Sequence, residues 1–521
     1  MPQDDQPLDL TGATVGVIGA GTMGAGIAQV AATAGHRVVL YDIVEGAADA
    51  AVATLRAGME RLIDRGKFTA DQVETICSAI QASSDLEDIA ASGLVVEAIL
   101  EDLDTKRQVF ATVEKLCPNT TVIASNTSSI SISALAAGMA QPERFVGMHF
   151  FNPAAIMKLV EVVSGLLTNR SVADAVFSLA NAWGKKPVHT KSTPGFIVNR
   201  VARPFYAEAL RSLSEQVAPV SVIDTVLKSC GGFKMGPLEL TDLIGHDVNA
   251  AVTESVYRAM FDDQKYLPSI VQTEMVIAGL LGRKTGHGFY TYDDDGSREP
   301  TPVPTSNSAQ AVAPTGWKIV GTFEQTPSFR DLVESANADV QQIDENEPNH
   351  RDHVLVGEAQ IQLTYGATAT STAHLQQTPN LVLVDLASDY ASCEYVAVSF
   401  AEQASDAARS DAIGFFAALG KNVCHVKDVP GMLVMRTVAM LINEAADAVD
   451  KGICSAADVD IALQAGAAYP QGLLAWGDKL GVSSVVEVLR HLQAEYGEDR
   501  YRCSPLLRRY QHGTTPLVAA T

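Results

Sequence analysis

Basic residues are scarce in this 521-residue chain: 38 Lys and Arg stand against 61 Asp and Glu, a formal net charge of -23. That balance argues against nucleic acid or an anionic membrane as partner, and it repels an anionic ligand except where Lys and Arg gather locally. Cysteine is sparse as well. Seven are scattered at 77, 117, 230, 393, 424, 454 and 503, odd in number and without a Cys-x-x-Cys pair. That pattern fits reduced thiols in a cytoplasmic protein and predicts neither a disulfide framework nor a zinc site. No uninterrupted apolar run reaches the length of a membrane span, and Met1 to Leu10 is acidic with no hydrophobic stretch. Neither a transmembrane helix nor a signal peptide is predicted, and the expected location is the cytoplasm. A chain of this length is expected to hold about three or four domains.

What is present is organised around Phe145 to Val163, where two β-rich runs flank Asn152-Pro153 and each carries one ionisable residue, His149 and Glu161. An ionisable group in a buried strand is costly unless paired, so a His on one strand and a Glu on the next read as one unit. Upstream, the strand Thr14 to Ile18 leads into Gly19-Ala-Gly21-Thr22-Met23-Gly24 and a small-residue helix. Gly19 permits a tight turn, Gly21 a close approach of backbone to pyrophosphate, and Gly24 close packing of helix on strand. The next strand, Arg37 to Tyr41, ends at Asp42, where a ribose 2'-hydroxyl is held; a carboxylate there favours NAD over NADP.

The rest of the first third alternates. A helical pair is predicted from Glu45 to Ala79, broken at Arg65-Gly66-Lys67 and restarted by Thr69. Strands follow at Leu94 to Leu100 and Thr121 to Ala124, the latter ending in the polar loop Ser125-Asn-Thr-Ser128-Ser129. This alternation predicts a Rossmann-type doubly wound α/β domain over 1–188. Pro194-Gly195 is read as opening a long helix in an all-α domain, 189–292, followed by a Pro- and Ser-rich linker, 293–316. His189-Thr-Lys-Ser-Thr-Pro-Gly195 recurs as His425-Val-Lys-Asp-Val-Pro-Gly431, an offset of 236 that also relates Arg200 to Arg436, Glu208 to Glu444 and Gly245 to Gly481. The helical domain is therefore duplicated over 421–521. Between lies 317–420, strand-bearing but without Gly-x-Gly-x-x-Gly, predicted to be a degenerate α/β segment that binds no dinucleotide.

Taken together, Gly19-Ala-Gly-Thr-Met-Gly24, Ser125-Asn-Thr-Ser-Ser129, His149-Phe-Phe-Asn-Pro153, Lys158-Leu-Val-Glu161, Pro194-Gly-Phe-Ile-Val-Asn199-Arg200 and Gly286-x-Gly-Phe-Tyr290 resemble the 3-hydroxyacyl-CoA dehydrogenases of β-oxidation type. The resemblance covers about 14 to 292 and recurs weakly from about 420 to the end. The duplicated form is similar to the bacterial 3-hydroxybutyryl-CoA or 3-hydroxyadipyl-CoA enzymes of fatty-acid and phenylacetate metabolism. It implies NAD-dependent oxidation of a (3S)-3-hydroxyacyl-CoA, with the reductive direction, or a hydroxy-acid dehydrogenase acting on free acids, as alternatives. It also implies that His149 is the base, oriented by Glu161, and that Asn199 and Ser128 bond the substrate and cofactor. Glu101, Lys106 and Lys284 would line the cofactor site, and Lys67 would lie near the CoA phosphates. Shifting Asn199 by 236 gives Met435, so the second half is expected to be catalytically silent. Residues 195 to 250 and 431 to 486 are expected to pack as a pseudo-dimer within one chain, with a further homodimer possible.

Overall fold

The computed structural model describes residues 8–306, 316–324, 326–335 and 351–520. The chain forms two compact units: Met1–Arg200 with Lys451–Ala467, and Val201–Asp450 with Ala468–Thr521.

The first unit holds one sheet of eight strands: β1 (Val15–Ile18), β2 (Val38–Tyr41), β3 (Ile80–Ser83), β4 (Leu94–Glu97), β5 (Val122–Ser125), β6 (Phe145–Phe150), β7 (Leu159–Ser164) and β8 (Lys186–Lys191), in the order β3-β2-β1-β4-β5-β6-β7-β8. The first six are parallel and, apart from the edge strand β3, nearly all apolar, as strands covered on both faces must be. One face packs Val15, Val17, Ile27 and Val96 together, and the other packs Ile18, Val95, Phe110 and Phe145. The fold is thus the Rossmann-type doubly wound sheet. Only residues 151–158 join β6 to β7, too few for a crossover, and β7 returns antiparallel. The helix Arg170–Ala182 then allows β8 to lie parallel to β7.

The helical pair forms as Ala47–Ile63 and Ala70–Ser78. Thr69 and Gln72 make a reciprocal capping box at the start of the second helix. Two strands, β3 and β8, carry no clear sequence signal. Both are sheet edges, where polar side chains and a proline are tolerated, as in Lys186-Pro-Val-His-Thr-Lys191. The long helix expected from Pro194 starts later. Gly195 and Phe196 both have positive φ, 73° and 46°, so the chain turns before a short helix, Val198–Val201. The helix Ala456–Gly466, from the repeated part of the sequence, packs on β7 and β8 in this first unit; a Cβ on Gly466 would overlap Leu159.

The second unit contains the helices Arg203–Ser214, Val220–Ser229, Pro237–Ile244, His246–Ala259 and Ile270–Ile277, and a second sheet. Its strands are β9 (Trp317–Val320), β10 (His353–Val356), β11 (Ala359–Leu363), β12 (Leu381–Val384), β13 (Tyr395–Phe400) and β14 (Asn422–His425), in the order β14-β13-β12-β11-β10-β9. The repeat that the sequence shows from His189 onward reaches back into this sheet. Shifted by 236, the pairs Gly147↔Val163 and Leu159↔Lys186 become Leu383↔Ser399 and Tyr395↔Asn422, which are the pairs that β12, β13 and β14 make. The helix Arg170–Ala182 becomes Asp406–Ala418. Beyond β11 the sheet ends in the antiparallel strands β10 and β9. In the first unit that place is taken by the parallel strands and glycine loop.

Within this unit the helix Arg203–Ser214 packs along Val434–Asp450. Arg436, fully buried, donates from Nε to Glu208 Oε2 at 2.5 Å and from Nη1 to Glu215 at 3.1 Å, and the hydroxyls of Tyr496 and Tyr501 accept its remaining N–H groups.

Candidate active site

The site starts at the carboxyl ends of β1, β2 and β4, where the strand order reverses and an α/β sheet opens a crevice. Gly19, with φ 101°, turns so tightly against Ala98 that a Cβ would overlap its carbonyl oxygen, and a Cβ on Gly24 would overlap the carbonyl oxygen of Gly19. A Cβ on Gly21 would meet nothing within 4 Å. Two glycines are therefore required by the fold itself, whereas Gly21 matters only for what approaches from outside. The helix Thr22–Thr33 begins there with no side-chain cap, leaving the first-turn N–H groups of Thr22, Met23 and Gly24 as an anion-binding end. Asp42, at the end of β2, accepts from Ala20 N–H at 2.7 Å and from Val44 N–H at 2.9 Å, which fixes its carboxylate beside the loop. These features fit a dinucleotide: donors for a pyrophosphate, and a carboxylate with lone pairs left for ribose hydroxyls.

Next along the crevice is a buried charge cluster that the sequence reading only half identified. Lys106, 1% exposed, is held by Glu97 at 2.5 Å and Glu101 at 3.2 Å. Glu97 also accepts from Ile99 N–H and from Ser125 Oγ, so its four bonding directions are largely used. Glu101 gathers the polar loop, with its Oε1 accepting from Thr127 Oγ1, Ser128 N–H, Ser129 N–H and Ser129 Oγ. Burial pushes the Glu101 pKa up, but the Thr127 and Ser129 bonds and the Lys106 charge outweigh it and hold the carboxyl below its ordinary value. Lys106 thus acts on the crevice through Glu101 and the loop. Glu97 lay hidden in the sequence inside an apolar strand, its partner nine residues on.

His149 and Glu161 face each other across β6 and β7, with Nδ1 and Oε2 2.7 Å apart and both side chains buried. Glu161 Oε1 accepts from Ile197 N–H at 3.0 Å and Val198 N–H at 2.9 Å, the groups presented by the positive-φ turn at Gly195 and Phe196. One carboxylate therefore anchors a helix start with one oxygen and fixes the imidazole with the other. Since a carboxylate accepts only, Nδ1 carries the proton and Nε2 is the basic nitrogen. Phe151 and Phe196 flank the ring at 4.5 and 5.7 Å, and Nε2 bonds to no described residue. Asn199 follows on the short helix, half-buried, with no local backbone bond from its side chain among the described residues.

Pairing alone does not mark a site. His246 and Asp242 are also a buried pair, 2.8 Å apart in the second unit, but both are fully enclosed and Asp242 also accepts from Phe289 and Tyr290 N–H. The open Nε2 distinguishes His149. Of the remaining predicted residues, Ser128 lies in the loop latched by Glu101, and Lys67 is exposed between the two helices after β2 without a side-chain partner among the described residues. Lys284 belongs to the second unit and is paired with Asp247 at 2.6 Å.

Comparison with known proteins gives three family matches. Residues 14–193 match "3-hydroxyacyl-CoA dehydrogenase, NAD binding domain", residues 195–292 and 431–514 match its C-terminal domain, and residues 361–430 match "3-hydroxybutyryl-CoA dehydrogenase reduced Rossmann-fold domain". The chain is 45% identical over 496 residues to a 3-hydroxyadipyl-CoA dehydrogenase of Escherichia coli K12, covering 95% of this chain and 96% of the relative. It is 41% identical over 277 residues to a 3-hydroxybutyryl-CoA dehydrogenase of Clostridioides difficile, 53% of this chain but 98% of that one. A crystal structure of a 3-hydroxybutyryl-CoA dehydrogenase from Escherichia coli K12 superposes with a TM-score of 0.85 at 43% identity, covering 96% of this chain and 98% of the other.

Proposed function

The chain belongs to the 3-hydroxyacyl-CoA dehydrogenase family, NAD-dependent oxidoreductases acting on hydroxyacyl thioesters, and from that premise we propose that His149 and Glu161 are the acid-base unit of that reaction in this protein. The observation that carries the reading is the 2.7 Å contact of Nδ1 with Glu161, which leaves Nε2 as a base at the crevice. The glycine loop and Asp42 would hold NAD, which would supply the hydride acceptor for C3. Nε2 of His149 takes the proton of the 3-hydroxyl as that hydride leaves, and the product is a 3-oxoacyl-CoA. Glu161 stabilises the imidazolium that forms, and it cannot swing away because Ile197 and Val198 N–H groups hold its other oxygen. Asn199 and Ser128 bond the substrate oxygens, and Phe151 and Phe196 exclude water from the imidazole. Glu101 and Lys106 shape the cofactor side of the crevice; Lys67 and Lys284 are secondary contacts to the thioester's phosphates and the cofactor.

The same proposal covers organisation. The five parts bounded at 188, 292, 316 and 420 are a catalytic pair of domains, a linker and a silent pair, and the linker lies partly outside the described residues. The helices Arg203–Ser214 and Val434–Asp450 stand in for the interface of a dimer. In support, Lys191 N–H donates to Ile453 at 2.9 Å and Lys427 N–H donates to Val217 at 3.0 Å. Each of these bonds is the other shifted by 236, the reciprocity of an isologous contact. No helix among the described residues is long and apolar enough to cross a membrane, and a cytoplasmic location rests on the unpaired cysteines. The test is NAD reduction with 3-hydroxyacyl-CoA thioesters and the matching free acids: turnover of thioesters alone is expected, and turnover of free acids alone would overturn the reading.

A further inference from the structure

Within the second unit, two of the seven cysteines touch. Cys230 ends the helix Val220–Ser229, and Cys393 stands two residues before β13; both side chains are buried, and their thiols are hydrogen-bonded to each other. They lie 163 residues apart in the chain. The backbones that carry them are fastened together: Ser388 N–H donates to the Cys230 carbonyl at 2.7 Å, and Ser229 Oγ accepts from the N–H groups of Glu394 and Tyr395, both at 3.0 Å. A disulfide here needs little more than drawing two touching sulfurs together to about 2 Å. The neighbours Ser392 and Glu394 are exposed, so the Cys393 sulfur lies a short way below the surface, within reach of an oxidant as small as a peroxide.

The surroundings give the two thiols different roles. The Cys230 S–H donates to the Cys393 sulfur and the Lys421 ammonium lies near it, and together they outweigh burial and the Asp389 charge, holding the Cys393 pKa below the ordinary thiol value. Lys421 is fixed there by the carbonyls of Ala391 and Cys393, at 2.9 and 2.8 Å. At the other six cysteines the pKa is pushed up, at Cys230 by the bond it gives and then by burial, elsewhere by burial first. The shared scaffold does not ask for these thiols. Shifted by 236, Cys393 corresponds to Met157 and Cys230 to Gly466, while Lys421 corresponds to Lys185, which holds the Met157 carbonyl in the same way. We propose that Cys230 and Cys393 are a reversible redox pair, which a peroxide converts to a disulfide tying the helix Val220–Ser229 to the segment that leads into β13. Cys393, as the thiolate, attacks one oxygen of hydrogen peroxide; the O–O bond breaks, leaving a sulfenic acid and hydroxide. The Cys230 sulfur then displaces the sulfenic oxygen, which leaves as water with the Cys230 proton. Two thiols thereby lose two electrons and two protons, and the peroxide becomes two waters. A crosslink across so long a loop stabilises mainly by restricting the unfolded chain. Neither cysteine carries a role in the dehydrogenase reading, so the two proposals stand apart.

The test takes the full 521-residue chain, reduced and freed of reductant, treats it with hydrogen peroxide, blocks the remaining thiols by alkylation and digests it without reductant. Mass spectrometry is expected to find two peptides joined through Cys230 and Cys393, with two of the seven thiols lost and both recovered on adding dithiothreitol. The urea midpoint of unfolding should rise on oxidation of wild type and stay in place for Cys230→Ser and Cys393→Ser, which should give no joined peptide. If neither variant folds, the joined peptide of wild type and its reversal decide alone. The absence of that peptide, a bridge to another cysteine or between chains, a loss of thiols that dithiothreitol does not reverse, or a midpoint that rises equally in the variants overturns the proposal and leaves the dehydrogenase reading intact.

Discussion

In the first unit, the carboxylate that anchors the helix start is Glu161 on β7, opposite His149. In the second it is Asp385, one residue past β12, at the position that a shift of 236 assigns to His149; the same shift takes Glu161 to Ala397. Asp385 accepts from the N–H groups of Leu433, Val434 and Met435, the counterparts of Ile197, Val198 and Asn199. Both copies thus need an anion at this helix start. Only the first holds it one strand away, with an oxygen left over for an imidazole. The scaffold around the two is the same: Lys185 Nζ donates to the carbonyls of Ala154 and Met157, and its counterpart Lys421 donates to those of Ala391 and Cys393. The comparison separates what the fold requires, a carboxylate at the helix start, from what chemistry adds, a histidine between that carboxylate and the crevice.

Removing the added part has the largest expected effect. His149→Ala should lower kcat by roughly two to four orders of magnitude with NAD affinity retained, because the base acts on the proton in flight; stopped-flow NADH formation checks this, and near-normal turnover would break the comparison. Next comes the shared scaffold. Arg436→Ala leaves Glu208 charged and buried, and should cost about 3–5 kcal/mol in urea unfolding, whereas Arg436→Met combined with Glu208→Gln should recover most of it. Full stability of the single variant would show that the helix pair does not depend on this ion pair.

Glu161 belongs to both sides of the comparison. Glu161→Gln can keep the bonds to Ile197 and Val198 but loses the charge facing His149, so kcat should fall by roughly one to three orders of magnitude with little loss of stability. Glu161→Ala should lose both, with about 1–3 kcal/mol of stability gone for the unpaired N–H groups. Equal effects of the two variants on unfolding would remove the anchoring role. The smallest effect is expected at Asp385, where burial pushes the carboxyl pKa up to about 6 against the N–H groups that lower it. A carboxyl whose folded value lies above its unfolded one, about 4, binds protons more tightly in the folded state. Its contribution to stability therefore falls as pH rises from about 4 to about 6. The stability of wild type relative to Asp385→Asn should drop by about 1–3 kcal/mol over that window; a flat difference would place the carboxyl in a less buried setting.

Much of this was legible in the residues. The glycine loop, Asp42 and the His149–Glu161 pair follow local rules of turn geometry and charge burial, and each stands in the structure where those rules put it. What escaped reading depends on distant partners. Glu97 gains its meaning from Lys106 and Ser125, and Asp385 from a helix 48 residues on. β3 and β8 are edges whose polar faces resemble loops. The turn at Gly195 and Phe196 looked like a helix start because Pro-Gly marks either, and only the carboxylate waiting for its N–H groups decides between them. The segment Lys451–Ala467 joins the first unit because Gly466 fits against Leu159, a contact no periodicity announces.

The central claim is that one of two copies of the same substructure is catalytic. The segment 317–420 carries no Gly-x-Gly-x-x-Gly, and on this account the second copy is expected to bind no dinucleotide. Calorimetric titration of the full 521-residue chain with NAD tests this most directly: one site per chain is the predicted result, and two equivalent sites per chain would contradict it.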